Sequence, residues 1–268
     1  MNNDKEQPVE NLSKNVEVQK MLQGNWISQT ISVVQEMPLT IFLNEKEIVT
    51  LLCTGTHLEA LAIGFLKSEG LIDKREHIRD VIVDEAKGTL SITLANDPVM
   101  EEKLLFKRVI TSGCGKGTIF YQAIDSLLTQ KIESPLILTA DKIFLLMSQL
   151  NQQATLYKKT RGVHNAALAT PETIVLFRSD IGRHNAVDMI CGTCFLDNIP
   201  LEDKILLTTG RITSEVLLKA AKMRTPFLIS PNVATHHAIT LAQDIGITLI
   251  GDVRGNKLIV YTHPERVR

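Results

Sequence analysis

Apolar residues recur along the chain with two different periods, and the change of period divides it. Between residues 25 and 110 short apolar runs dominate. Leu39 to Leu43 and Ile48 to Leu52 flank the polar stretch Asn44 to Glu47, and Ile78 to Val83 and Thr89 to Leu94 meet through Lys87-Gly88. Each pair predicts a β-hairpin, the first with a four-residue loop. Between the hairpins Leu58, Leu61, Ala62, Phe65 and Leu66 repeat at helical spacing, with Thr56 and Glu59 set as a capping box and Gly70 as a stop. The predicted unit, 25–110, is a small, mostly antiparallel β lobe with one helix.

Beyond residue 111 helices and strands alternate. A helix capped by Thr139 runs to about Asn151, and Asn165 to Ala169 and Ile174 to Arg178 form strands around a turn at Thr170 to Thr173. Helices over 183–195, 213–223 and 235–245 then alternate with strands at 205–208, 227–229 and 248–250, and Lys257 to Tyr261 adds a last strand. Strands spaced by helices of ten or so residues imply crossovers, hence a largely parallel sheet covered on both faces. The expected fold is α/β, with 111–268 as its larger lobe. Residues 1–24 are polar without an apolar period and read as a mobile arm.

Composition narrows the function classes. The chain has 268 residues, 44% of them hydrophobic, and a net charge of −1 with dispersed basic residues, which suits a globular protein and does not point to nucleic acid. No apolar stretch reaches the roughly 18 residues of a membrane span, and the first residues lack the order of a signal peptide, so a cytoplasmic location is expected. Four cysteines (Cys53, Cys114, Cys191, Cys194) are too few for a disulfide scaffold of this size.

Of these, Cys114 has the most suggestive setting. Glycines at 113, 115 and 117 and the cation Lys116 surround it, between an apolar run ending at Ile110 and a helical pattern over 118–128. Backbone N–H groups freed to point at an anion, a helix N-terminus and a nearby lysine all favour a thiolate; an ordinary glycine-rich turn with a buried thiol accounts for the same letters. The loops after the later strands hold Arg183, His184 and Arg211 among glycines and hydroxyls, with Arg161 and His164 able to join them. Gathered at one edge of an α/β sheet, such groups suit a phosphate-bearing ligand. No Gly-x-Gly-x-x-Gly or Walker loop is present, so an ordinary dinucleotide or ATP enzyme is not signalled.

Taken together, Gly113-Cys114-Gly115, Gly162-Val163-His164, the string from Asp180 to Asp188, Gly210 to Glu215 and the closing stretch from Gly246 to Lys257 resemble the formate dehydrogenase accessory sulfurtransferase family, FdhD/NarQ. The resemblance runs from about residue 26 to the end. It implies a cytidine-deaminase-like three-layer core and a cytoplasmic protein forming a homodimer. It further implies a sulfur carrier that accepts sulfur from a cysteine desulfurase as a persulfide and delivers it to the molybdenum bis(molybdopterin guanine dinucleotide) cofactor of formate dehydrogenase. On this sequence Cys114 matches the persulfide cysteine, and Asp252, Val253, Arg254, Gly255, Asn256 and Lys257 match the cofactor-binding stretch.

One departure bears on mechanism. Many members carry Cys-x-x-Cys in the first loop, whereas here the second position is Gly117. A single thiol still carries sulfane sulfur, and a protein that only binds and escorts the cofactor is the alternative. Cys191-Gly192-Thr193-Cys194 with His57-Leu58-Glu59 echoes zinc deaminases, but Ile190 stands where their proline would be and the cysteines fall on an amphipathic helix. No resident metal is expected.

Overall fold

The computed structural model describes residues 9–95 and 131–268. The Cys114 loop, the apolar run at 107–110 and the helical pattern over 118–128 lie outside the described residues. The described chain forms three sheets: a two-stranded ribbon, a four-stranded sheet and a six-stranded sheet.

The ribbon corrects the reading of a mobile arm for residues 13–24. Strand β1 (Ser13–Leu22) pairs antiparallel with β2 (Asn25–Val34) over ten rows, turning at Gln23-Gly24, which both have positive φ. On one face of the ribbon polar side chains pair across the strands, where Gln19 donates to Ser28 Oγ at 2.8 Å and Ser32 to Asn15 Oδ1 at 2.7 Å. The root is apolar: Leu12, Leu156 and Val163 cluster with Val34 and Tyr157.

Strands β3 (Met37–Leu43), β4 (Lys46–Cys53), β5 (Ile78–Asp84) and β6 (Thr89–Leu94) form the second sheet in the order β4-β3-β6-β5. The β3–β4 loop is two residues, Asn44-Glu45, rather than four; both have positive φ, a conformation that matches the strand twist of tight hairpins. Helix α1 (Leu58–Ser68) covers this sheet. Its N-cap is His57 in the left-handed region, and Thr56, expected to cap, is buried with its hydroxyl 3.4 Å from that of Thr54.

The six-stranded sheet has the order β12-β11-β10-β9-β7-β8, from β7 (His164–Ala169), β8 (Ile174–Asp180), β9 (Ile205–Thr208), β10 (Phe227–Ile229), β11 (Thr248–Arg254) and β12 (Lys257–Val260). Only β9–β10 and β10–β11 are parallel neighbours, so the sheet is mixed rather than largely parallel. The tight turn at 170–173 returns β8 beside β7, and the following helix then carries the chain across β7 to β9. Strands β8, β9, β10 and β11 still share one direction.

Alternate residues feed two cores. Ala166, Leu168, Leu206, Leu228 and Leu249 meet α4 (Arg183–Leu196), α5 (Ser214–Met223) and α6 (His236–Ile245). Ala167, Ala169, Leu207, Phe227 and Ile250 meet α2 (Ala140–Gln153), capped by Thr139, with α3 (Thr155–Thr160) following it. Helices on both faces make this part three-layered.

Helices α1 and α4 join the two larger sheets at a crossing of two glycines. A Cβ on Gly64 would lie 1.8 Å from the Asp188 carbonyl oxygen, and one on Gly192 would lie 1.9 Å from that of Ala60. Buried polar groups lock the joint. Asp180 accepts from Thr54 N (2.8 Å), Thr54 Oγ1 (2.9 Å), Gly182 N (2.9 Å) and Asn185 Nδ2 (2.7 Å). Asp188 accepts from Ser68 Oγ at 2.7 Å and from Lys219 Nζ at 2.6 Å.

Candidate functional site

The C-terminal ends of β8, β9, β10 and β11 open onto a cleft of about 780 Å³. Co-directional strands put their loops at one edge, which is where open α/β sheets bind ligands. One wall comes from α2 and α3 and is largely apolar: Phe144, Met147, Ala154 and Tyr157, with the Arg161 guanidinium 5.2 Å from the Tyr157 ring centre. The other comes from the strand-end loops and is polar, with His164, Asn165, Thr209, Asn232, Arg254 and Gly255.

Hydrogen bonds fix the polar wall. Asn165 N donates to Thr209 Oγ1 at 2.9 Å, Ser179 Oγ to Asn165 Oδ1 at 2.7 Å, and Asn232 Nδ2 to the Thr209 carbonyl at 2.7 Å. Asn232 in turn holds Arg254, whose Nη2 donates to Asn232 Oδ1 at 3.2 Å and Nε to the Pro231 carbonyl at 3.0 Å. A bound guanidinium is pre-set for an anion, since less side-chain freedom is lost on contact.

The β11–β12 hairpin carries the expected C-terminal stretch. Val253, Arg254 and Gly255 line the cleft; Asp252, Asn256 and Lys257 do not. Asp252 has φ of 50° and accepts from Lys257 Nζ at 2.9 Å, which holds its carboxyl below the usual range. Asp252 Oδ1 also lies 3.7 Å from Arg254 Nε, so the carboxylate is shared by both cations, of which Arg254 is the one that lines the cleft.

Arg183, His184 and Arg211 lie outside the lining. Arg183 opens α4 with its stem against Gly210, where a Cβ would come 2.9 Å from Arg183 Cδ, and its buried Nε has no hydrogen-bond partner among the described residues. His184 Nε2 lies 3.3 Å from Glu215 Oε2, without hydrogen-bond geometry. Burial and the cations Arg183 and Lys219 outweigh that carboxylate and push the imidazole down to about 4. His164, on the cleft wall, is also pushed down, by burial and by Arg183. Both rings are neutral at physiological pH. Arg211 is exposed on the β9–α5 loop and is not among the residues that line the cleft.

Thus the edge brings together Arg161, His164, Val253, Arg254 and Gly255, with Arg183 and His184 behind His164. Sequence reasoning missed the apolar wall and the two asparagines. Phe144 and Met147, three residues apart on α2, stand one position beyond the buried stripe Ile143, Leu146 and Leu150, and that offset was the available signal.

The remaining cysteines are core residues. Burial pushes the thiols of Cys53 and Cys191 up to about 11 and that of Cys194 up to about 12. The Asp180 to Asp188 string, the most specific part of the resemblance, contributes chiefly the buried joint between the sheets.

The FdhD/NarQ family model matches residues 34–268. The sulfur carrier protein FdhD of Bacillus pumilus is 42% identical over 245 residues, covering 91% of this chain and 94% of that one. Its Bacillus subtilis counterpart is 43% identical over 236 residues, covering 88% and 90%. A crystal structure from Desulfotalea psychrophila, described as a formate dehydrogenase accessory protein, superposes with a TM-score of 0.78 at 25% identity, covering 96% of this chain and all of that one. The chain belongs to the FdhD/NarQ family.

Proposed function

We propose that this protein is a sulfur carrier serving formate dehydrogenase, with Cys114 as the carrying thiol and the cleft as the seat of the guanine-containing molybdenum cofactor, its substrate. The observation that carries the cleft assignment is the meeting of Arg254, Asn232 and Gly255 with an aromatic wall at the ends of four co-directional strands. That pairing offers a flat apolar surface for a ring system and fixed donors for phosphates. The relatives' names support the sulfur role.

The chemistry at Cys114 is a sulfane transfer without net oxidation. Its thiolate attacks the outer sulfur of a cysteine desulfurase persulfide, a new S–S bond forms on Cys114, the donor S–S bond breaks, and the desulfurase cysteine leaves as thiolate. Lys116 and the adjacent glycines favour the attacking thiolate. With Gly117 in place of a second thiol, no neighbouring cysteine releases the sulfur as a disulfide. The same substitution supports a second reading, a pure cofactor escort.

Two measurements test this. Intact-protein mass after incubation with a cysteine desulfurase and cysteine should rise by one sulfur atom and not rise in Cys114→Ser; no gain in the natural protein leaves the escort reading. Calorimetry should detect guanosine diphosphate, with Arg254→Ala binding ten- to hundredfold more weakly, the loss of about 1.5–3 kcal/mol for a charge-assisted bond. An unchanged affinity in Arg254→Ala would remove the ligand from this cleft.

A further inference from the structure

The cleft carries charge of one sign. Among the described residues that line it, Arg161, His164, Arg254 and Tyr157 are the titratable side chains, and no carboxylate stands with them. Arg254 is held by Asn232 and the Pro231 carbonyl, and Arg161 lies over the Tyr157 ring. His164 differs from both. It opens β7 in the polar wall, half-buried, and neither ring nitrogen has a hydrogen-bond partner among the described residues. An imidazole with unengaged nitrogens in a wall of cations lacks what a protonated ring needs, a negative charge beside it.

Granted the cleft as the seat of the ligand, on which this step rests, we propose that His164 is a ligand contact and that the anion enters together with a proton, which settles on the imidazole. The charges around the ring leave that role to the ligand. Arg183, on α4 behind it, opposes its protonation, and His184 beside Arg183 is coupled to it. Asp180, its register partner on β8, accepts from Thr54, Gly182 and Asn185. On α5, Glu215 lies beside His184, and Lys219 is bonded to Asp188. Asp252 of the hairpin is shared between Arg254 and Lys257. Each of these carboxylates has another partner, so the negative charge that reaches His164 arrives with the ligand.

The direction of the coupling follows. In the empty cleft, burial and Arg183 hold the ring below its ordinary value of about 6.5. An opposite charge within about 4–6 Å displaces a titration by about 1–3 pH units, so a bound diphosphate raises the ring toward neutrality. Between the two values binding takes up a proton, and affinity rises as the pH falls, by at most about tenfold per pH unit for a single proton. Outside that window the dependence ends.

Guanosine diphosphate mannose is the probe, because its outer phosphate is esterified and exchanges no proton near neutral pH. Calorimetry at pH 6.5 in two buffers of different ionisation enthalpy should give different heats, equivalent to uptake of about 0.5–1 proton per ligand, and affinity should rise severalfold from pH 7.5 to pH 6. His164→Gln keeps a hydrogen-bonding group that does not titrate, so its heats should agree in the two buffers and its affinity should be flat over this range; circular dichroism verifies its fold. Equal heats and a flat profile in the natural protein overturn the proposal and leave the cleft reading standing. Proton uptake that persists in His164→Gln belongs to another group and overturns it too. Failure of the natural protein to bind the probe overturns the proposal, and failure to bind guanosine diphosphate as well removes the cleft reading with it.

Discussion

A half-buried imidazole behind the cleft gives the molecule a measurable acid sensitivity. His184 stays neutral in the folded state down to about pH 4, because burial and the neighbouring cations Arg183 and Lys219 oppose its charge. In the unfolded chain it takes up a proton near pH 6.5. The unfolded state thus binds more protons between these values, so stability that is complete above pH 6.5 is lost as the pH falls toward 4, by at most about 3 kcal/mol. Asp180 works in the opposite sense, since burial raises its carboxyl above the ordinary carboxylate value and its ionisation then costs stability as the pH rises. The difference between the natural protein and His184→Gln isolates the imidazole: denaturant unfolding from pH 7 to pH 4.5 should show a shallower loss in the variant. Equal slopes would mean that the ring is protonated in the folded protein, held by Glu215.

Among the elements, the α1–α4 crossing is the most constrained. Gly192→Ala puts a methyl group within 1.9 Å of the Ala60 carbonyl oxygen, which is backbone and cannot turn aside. Overpacking of this kind costs about 1–3 kcal/mol or more, and at this chain length each kcal/mol lowers Tm by about 2–4 °C. A thermal melt of Gly192→Ala should therefore fall by several degrees. The same crossing shows what was legible in the sequence. Among the described residues, the helices and strands of the large lobe and the Thr139 cap follow from local pattern, and the structure has them within a few residues. The glycine pair did not, because Gly64 and Gly192 meet across 128 positions of chain. The ribbon was hidden for another reason, its alternation being broken by Lys14, Lys20 and Gln29, which the register places on the same face as Val16, Ile27 and Ile31. Of the site, the strand-end loops were readable as glycine and arginine clusters; the aromatic wall depends on how α2 and α3 lie on the sheet. Thr56 misled because burial gave it another partner, Thr54, and left the helix start to His57.

At the scale of the whole molecule, the polar bonds that cross from the first sheet and its helix to the rest of the joint span long stretches of sequence. Thr54 reaches Asp180 across 126 residues, Ser68 reaches Asp188 across 120, and Lys222 reaches the Ser68 carbonyl across 154. Helix α1 buries residues on nearly every side, from Leu58 and Ala60 through Leu66 to Ser68, and only one of its sides faces its own sheet. The other awaits α4. During synthesis, at about 5–20 residues per second, the ribosome needs on the order of ten seconds to make the chain between them. For that interval the first sheet carries an apolar helix with a bare flank, a target for holding chaperones and an aggregation risk when expression is fast.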